Sequence, residues 1–261
     1  MEELAGMRAL VCGGSRGIGR ACAIELACRG AEVTVVARTE DTLKDTVASL
    51  DRQLNQRHAL IRADSTDPEG LRARVAKHIE DTAPMQILIN NTGGPPPGLL
   101  IDAEPAQLAD AFASHVLCAQ LLARMLIGGM KEAGYGRIIN IISTSVFAPI
   151  RGLGVSNTIR GAMANWGRTL AGELAPFGIT VNNILPGYTA TDRLMSLFEH
   201  QAREARTDVR AVAEAAAETV PAGRLGQPEE LAAVVAFLAS PSASYLNGVN
   251  IPVDGGRTAR Q

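Results

Sequence analysis

Seven short runs rich in apolar and β-branched residues alternate with helix-length segments along this 261-residue chain: MRALVCG (7–13), EVTVVAR (32–38), HALIRAD (58–64), MQILINN (85–91), GRIINIIS (136–143), GITVNNILPG (178–187) and GVNIPVD (248–254). That alternation constrains the fold more than any other feature. Strands joined through helices run parallel, with right-handed crossovers, and both faces of their sheet are buried only when the helices cover them. The clearest helix, 156–175, sets Ile159, Met163, Trp166, Leu170 and Leu174 on one stripe at spacings of three and four. Aromatic residues make up 3% of the chain against 46% apolar overall, so the core must be built from Ala, Val, Ile and Leu, as covered parallel sheets are. The expected fold is α/β: a single domain with a doubly wound parallel sheet of about seven strands and helices on both faces.

The net charge of −2 is spread over interspersed acids and bases. With no basic stripe or like-charge block, nucleic acid and anionic membranes are poor partners, and a small molecule is the better expectation. Cys12, Cys22, Cys28 and Cys118 fall inside strand or helix segments without a CxxC pair, so they read as reduced core thiols and no metal site is expected. The start MEELAGMRAL has no basic-then-apolar leader, and no apolar run approaches the roughly 20 residues of a membrane span. A cytoplasmic protein is expected.

The first strand runs straight into GGSRGIG (13–19) and then into a helix pattern. Glycines at 13, 17 and 19 allow a tight turn and close approach of a pyrophosphate, whose charge meets free N–H groups at the helix start. The second strand ends VVARTE with no carboxylate to accept from a ribose hydroxyl pair. Arg38 stands there, so a 2′-phosphate, and hence NADP(H) over NAD(H), is the expected ligand, although that arginine could also be a solvated surface charge.

The spacing GxxxGxG, followed in order by Asp64 in IRADSTD, NNTG (90–93), GRIINIIS ending at Ser143, NNILPGYTATD, GRLGQPEE and PVDGG, resembles the short-chain dehydrogenase/reductase family over nearly the whole chain. The resemblance implies a Rossmann-type dinucleotide-binding domain that assembles as a homotetramer, and an NADP(H)-dependent oxidoreductase acting on a carbonyl or alcohol. It places cofactor contacts at Gly13, Ser15, Arg16, Gly17, Ile18 and Gly19, at Arg38, at Asp64 and Ser65, at Asn91 and Gly93, and at Pro186, Gly187, Thr189 and Thr191. Cys12 departs from the threonine usual before the loop.

A larger departure lies at VSNTIRGAM (155–163). Counted from Ser143, the family's tyrosine and lysine positions hold Ser156 and Arg160, and its helix asparagine position holds His115. The pattern is similar to a divergent branch named after ketoacyl-ACP reductases. A serine hydroxyl is a far weaker acid than a phenol. Arginine can hold ribose hydroxyls or an oxyanion but cannot give up its proton. His115, with an ordinary pKa near about 6.5, is the neighbouring group suited to proton transfer at neutral pH; as a core histidine it would do nothing of the kind. Tyr188, in the turn after the sixth strand, is a further proton-donor candidate. Three readings stay open: an oxidoreductase with a non-standard proton route through His115 or water, a cofactor-holding isomerase, lyase or cyclase, and an inactive binding subunit. Segment 192–222 reads either as a surface helix pair or as a substrate lid, and GGPPPG (93–98) either as a pocket wall or as a loop terminator.

Overall fold

The computed structural model describes residues 3–260. Its strands are β1 (Arg8–Cys12), β2 (Glu32–Ala37), β3 (Ala59–Arg62), β4 (Ile87–Asn90), β5 (Gly136–Ile141), β6 (Ile179–Pro186) and β7 (Asn250–Val253). Each lies inside the run that predicts it, because the outer residues of those runs belong to the turns. All pair in parallel in the order β3-β2-β1-β4-β5-β6-β7. The order reverses between β1 and β4, and a parallel sheet opens a crevice at the carboxyl ends of the strands at such a point.

The helices are α1 (Gly17–Cys28), α2 (Glu40–Ala48), α3 (Pro68–Glu80), α4 (Pro105–Phe112), α5 (Cys118–Glu132), α6 (Gly154–Leu174), α7 (Asp192–Ala205), α8 (Val209–Glu218) and α9 (Pro228–Ala239). Leu26 of α1, Leu43 of α2 and Leu231 and Val235 of α9 cover one face of the sheet. Leu71 and Val75 of α3, Leu122 and Leu126 of α5 and Leu174 of α6 cover the other. On the predicted stripe of α6, Ile159, Met163 and Leu174 are buried, while Trp166 donates its indole N–H to Gln120 at 2.7 Å. Cys12, Cys22 and Cys118 sit in or against the core and burial raises their thiols to about 12, 12 and 11. Cys28 is exposed, contrary to the core reading, because it closes α1 on the outward side.

One π-helical turn, Ala113–Leu117, joins α4 to α5. The run Pro105–Glu132 is by length and composition apolar enough to cross a membrane, which corrects the expectation that no segment approaches that size. Half of its apolar window is buried, α5 packing on α3 and β5 as a core helix does.

Four asparagines stand in register across the sheet, Asn90 opposite Asn140, Asn140 opposite Asn183 and Asn183 opposite Asn250. Each amide donates to the carbonyl oxygen of the next at 2.8 Å. Buried amides are costly unless paired, and this chain of bonds satisfies them from one strand to the next. Helix α6 crosses directly above at Gly167, where a Cβ would stand 2.7 Å from Asn183 Oδ1 and 2.9 Å from Asn140 Nδ2.

Candidate active site

At the carboxyl ends of the strands lies a cleft of about 770 Å³, running from Arg16 and Arg38 at one end to Arg160 and Arg193 at the other. Its first end is built from backbone. Gly13 and Gly17 adopt φ of +60° and +53°, a region that disfavours other residues. A Cβ on Gly13 would stand 2.5 Å from Asn91 Nδ2, the amide that ties the loop down by donating to the carbonyls of Cys12 and Gly13 at 3.3 Å. Helix α1 starts at Gly17 with no side chain capping it. Its first-turn N–H groups are therefore available to an anion, which is what a dinucleotide pyrophosphate requires. Arg16 and Arg38 are exposed at the cleft edge, and neither is in an ion pair among the described residues.

The wall between the two ends is held by its own hydrogen bonds. Asp64 accepts from the Thr66 amide at 3.0 Å, and the Ser65 carbonyl accepts from the Cys118 thiol at 3.0 Å. Thr191 caps α7 by accepting from the Leu194 amide, and its methyl stands 3.2 Å from where a Cβ on Gly17 would be. Ser15, Ile18, Asn91 and Gly93 face the same space. These residues fit a bound dinucleotide: glycine approach, free helix amides and unpaired cations occur along one continuous surface.

The other end is built from long side chains. Arg160 is 8% exposed and donates from Nη1 to the Ile141 carbonyl at 3.0 Å. Burial, and then the charge of Arg193, pull its pKa down to about 10, so it stays cationic at neutral pH. Arg193, exposed at the rim, donates to the Pro95 carbonyl at 3.0 Å and reaches the GGPPPG loop from α7. His115 lies in the π turn, 5% exposed. Its pKa falls to about 3, through burial first and the Arg160 charge second, with contact to the Gly93 backbone offsetting only part of this. At pH 7 the ring is therefore a neutral imidazole without the acidic second proton, which argues against it as the general acid.

Several residues expected at the site do not line the cleft: Gly19, Ser143, Ser156, Pro186, Gly187 and Thr189. Gly19 lies beneath Gly13. Ser143 opens a short 3₁₀ turn and its Oγ accepts from the Ser145 amide at 3.0 Å. Just beyond it, the buried hydroxyls of Thr144 and Ser145 have no hydrogen-bond partner among the described residues. Ser156 is half-buried on α6, one turn before Arg160. Pro186 pairs with Val253, and Gly187 passes Asp254 so closely that a Cβ would stand 2.7 Å from its Cα. Buried Thr189 bridges to Gly226. Tyr188 is turned away as well, stacked edge-on against Phe198 at 5.9 Å with the Arg257 guanidinium 4.3 Å above its ring. Sequence reasoning missed Arg193 and Gly94, since nothing marks that arginine apart from its place two residues after Thr191.

The family model described as Enoyl-(Acyl carrier protein) reductase matches residues 13–258. Short-chain reductase protein NovJ of Streptomyces niveus is 38% identical, over 95% of this chain and 93% of its own. The 3-oxoacyl-[acyl-carrier-protein] reductase FabG of Vibrio cholerae is 33% identical, over 97% and 98%. Among solved structures, L-sorbose reductase from Gluconobacter frateurii complexed with NADPH and L-sorbose superposes with a TM-score of 0.92 at 31% identity, covering 98% of each chain.

Proposed function

The chain belongs to the short-chain dehydrogenase/reductase family and is an oxidoreductase of the NAD(P)-dependent kind; on that premise we propose that it is an NADP(H)-dependent carbonyl reductase, 3-oxoacyl-reductase-like, whose reacting end is organised by Arg160 in place of a tyrosine–lysine pair. One observation carries this reading. Arg160, at the lysine position, is buried in the wall of the same cleft that holds the glycine turn, anchored through Nη1 and with Nη2 turned toward Gly94.

NADP(H), when bound, would supply the hydride. Arg16 and Arg38 receive the 2′-phosphate, the amides of α1 receive the pyrophosphate, and Thr191 lies against the glycine turn that carries them. A relative complexed with NADPH supports the same cofactor choice. At the reacting end, Arg160 stabilises negative charge developing on the substrate oxygen through its field and without a direct hydrogen bond, as a fixed cation in a partly dry site does. His115 stays neutral and acts by position. No side chain in the cleft is suited to donate a proton at neutral pH, so the proton comes from water, with the Ser143 hydroxyl as a relay where the substrate opens a path to it, and Ser156 is a spacer. Segment 192–222, as α7 and α8, forms a lid: the two helices pack on each other over buried Phe198, and Asp192 and Arg193 enter the cleft lining.

We infer further that the enzyme is a cytoplasmic homotetramer. Exposed Phe112 and Leu117 on the Pro105–Glu132 run supply apolar surface for subunit contacts, and a monomer in light scattering at micromolar concentration sinks the assembly. The function itself is tested by NADPH oxidation across a panel of carbonyl compounds. Turnover with NADPH and loss of it in Arg160→Ala are expected; full turnover in that variant overturns the reading.

A further inference from the structure

Two guanidinium groups meet over Gly94. Arg193 Nη2 stands 2.7 Å and Arg160 Nη2 3.4 Å from the point where a Cβ on Gly94 would be, so the two nitrogens are no more than about 6 Å apart. Neither arginine is in an ion pair among the described residues, although Asp110 and Asp192 line the same cleft. Buried charges are paired as a rule, and here Arg160 is buried with the charge of a second cation, Arg193, acting on it. Arg160 Nη1 is spent on the Ile141 carbonyl and Arg193 Nη2 gives one hydrogen to the Pro95 carbonyl, which leaves Arg160 Nη2 and the second hydrogen of Arg193 Nη2 for a ligand in the cleft beside Gly94.

We propose that the part of the cleft beside Gly94 binds the carboxylate of an anionic carbonyl substrate, with one oxygen on Arg160 and the other on Arg193. Guanidinium nitrogens spaced in this way match a carboxylate, which accepts two charge-assisted hydrogen bonds. Binding relieves the repulsion between the two cations and draws Arg193, which starts α7, down onto the ligand. Ile142, Val155 and Met163 line the cleft beside it, so the rest of the substrate is apolar. This assignment rests on the oxidoreductase reading for the carbonyl, but the anion site itself does not need turnover to be seen. A pyrophosphate oxygen of the cofactor offers the same chemistry and is the competing source of the anion.

The test is thermal unfolding with and without NADPH, using acetoacetate and levulinate against their methyl esters at matched ionic strength. Both acids should raise the melting temperature of wild-type protein beyond the sodium chloride control and beyond their esters. Arg193→Gln should weaken acid binding at least tenfold while leaving NADPH affinity unchanged, and Arg193→Lys should recover part of the loss. Equal shifts from acid and ester, no acid-induced shift at all, or an undiminished acid shift in Arg193→Gln overturns the proposal. A tenfold loss of NADPH affinity in Arg193→Gln also overturns it and assigns the anion to the cofactor. Wild-type protein that fails to bind NADPH but binds the acids sinks the oxidoreductase reading and leaves the carboxylate site standing.

Discussion

The two ends of the cleft bind charge in different ways. At the glycine turn the backbone does the work: Gly13 and Gly17 in left-handed conformations, uncapped amides at the start of α1 and a carbonyl pair tied by Asn91. At the far end the backbone only supports, and the charge sits on Arg160 and Arg193, which reach the same hollow from α6 and α7. A backbone cradle admits few residues at fixed spacing, so a substitution there shows at once. A side-chain cluster tolerates exchange of its members provided that something fills the volume and balances the charge. The glycine turn accordingly matches the spacing expected from the sequence, while on the proposed reading Ser156, Arg160 and His115 stand where a tyrosine, a lysine and an asparagine are expected.

The sharpest way to break this contrast is to empty the side-chain end. Ser143→Ala combined with Arg160→Ala should lower kcat by about 10²–10⁴, the range for losing a charge-stabilising or proton-handling group. NADPH binding, measured by fluorescence titration, should change far less, because the backbone cradle is untouched. If the double variant keeps full turnover, the chemistry lies elsewhere.

A second test strikes the ladder beneath both ends. Asn140→Leu leaves Asn90 without its acceptor and Asn183 without its donor, at about 1–3 kcal/mol for each orphaned amide. Chemical denaturation should show that loss. A stability unchanged within error means that the ladder does not hold the strands. Gly167→Ala, directly above, should cost about 1–3 kcal/mol by overpacking.

The third concerns acid. His115 has its folded pKa lowered to about 3, against about 6.5 in the unfolded chain. Between those values the unfolded state binds the extra proton, so this contribution to stability is full above pH 6.5 and is lost as pH falls toward 3, at up to about 1.4 kcal/mol per pH unit. His115→Asn should flatten that limb in pH-dependent melting. For the same reason the rate profile of the wild type should show no histidine limb between pH 5 and 8, and a clear inflection near 6.5 traced to His115 restores it as the acid.

Smaller effects separate the ends further. Arg38→Ala should weaken NADPH about tenfold, roughly 1.4 kcal/mol, with NADH little changed; equal losses for both cofactors remove the 2′-phosphate assignment. Ser156→Ala should alter kcat least of all, since its hydroxyl does not line the cleft and its substitution leaves Arg160 in place.

Alternation of strand and helix and the glycine turn are local patterns, and they were enough to read the parallel sheet and the place of its first strand-to-helix turn directly from the chain. Tertiary structure decided the rest, because it depends on where side chains from distant segments point. Ser143 stands where spacing expects it, yet its Oγ is turned to the Ser145 amide. His115 is in the expected helix, but burial beside Arg160 holds its ring in the neutral form. Tyr188 lies in the expected turn and is clamped by Phe198 and Arg257 away from the cleft. The asparagine ladder needs the register of four strands, and the arginine pair needs α6 and α7 to converge on a glycine some 66 and 99 positions earlier in the chain. Sequence patterns record what the backbone must do locally, whereas charge, protonation and side-chain partnership are set by neighbours that only folding brings together.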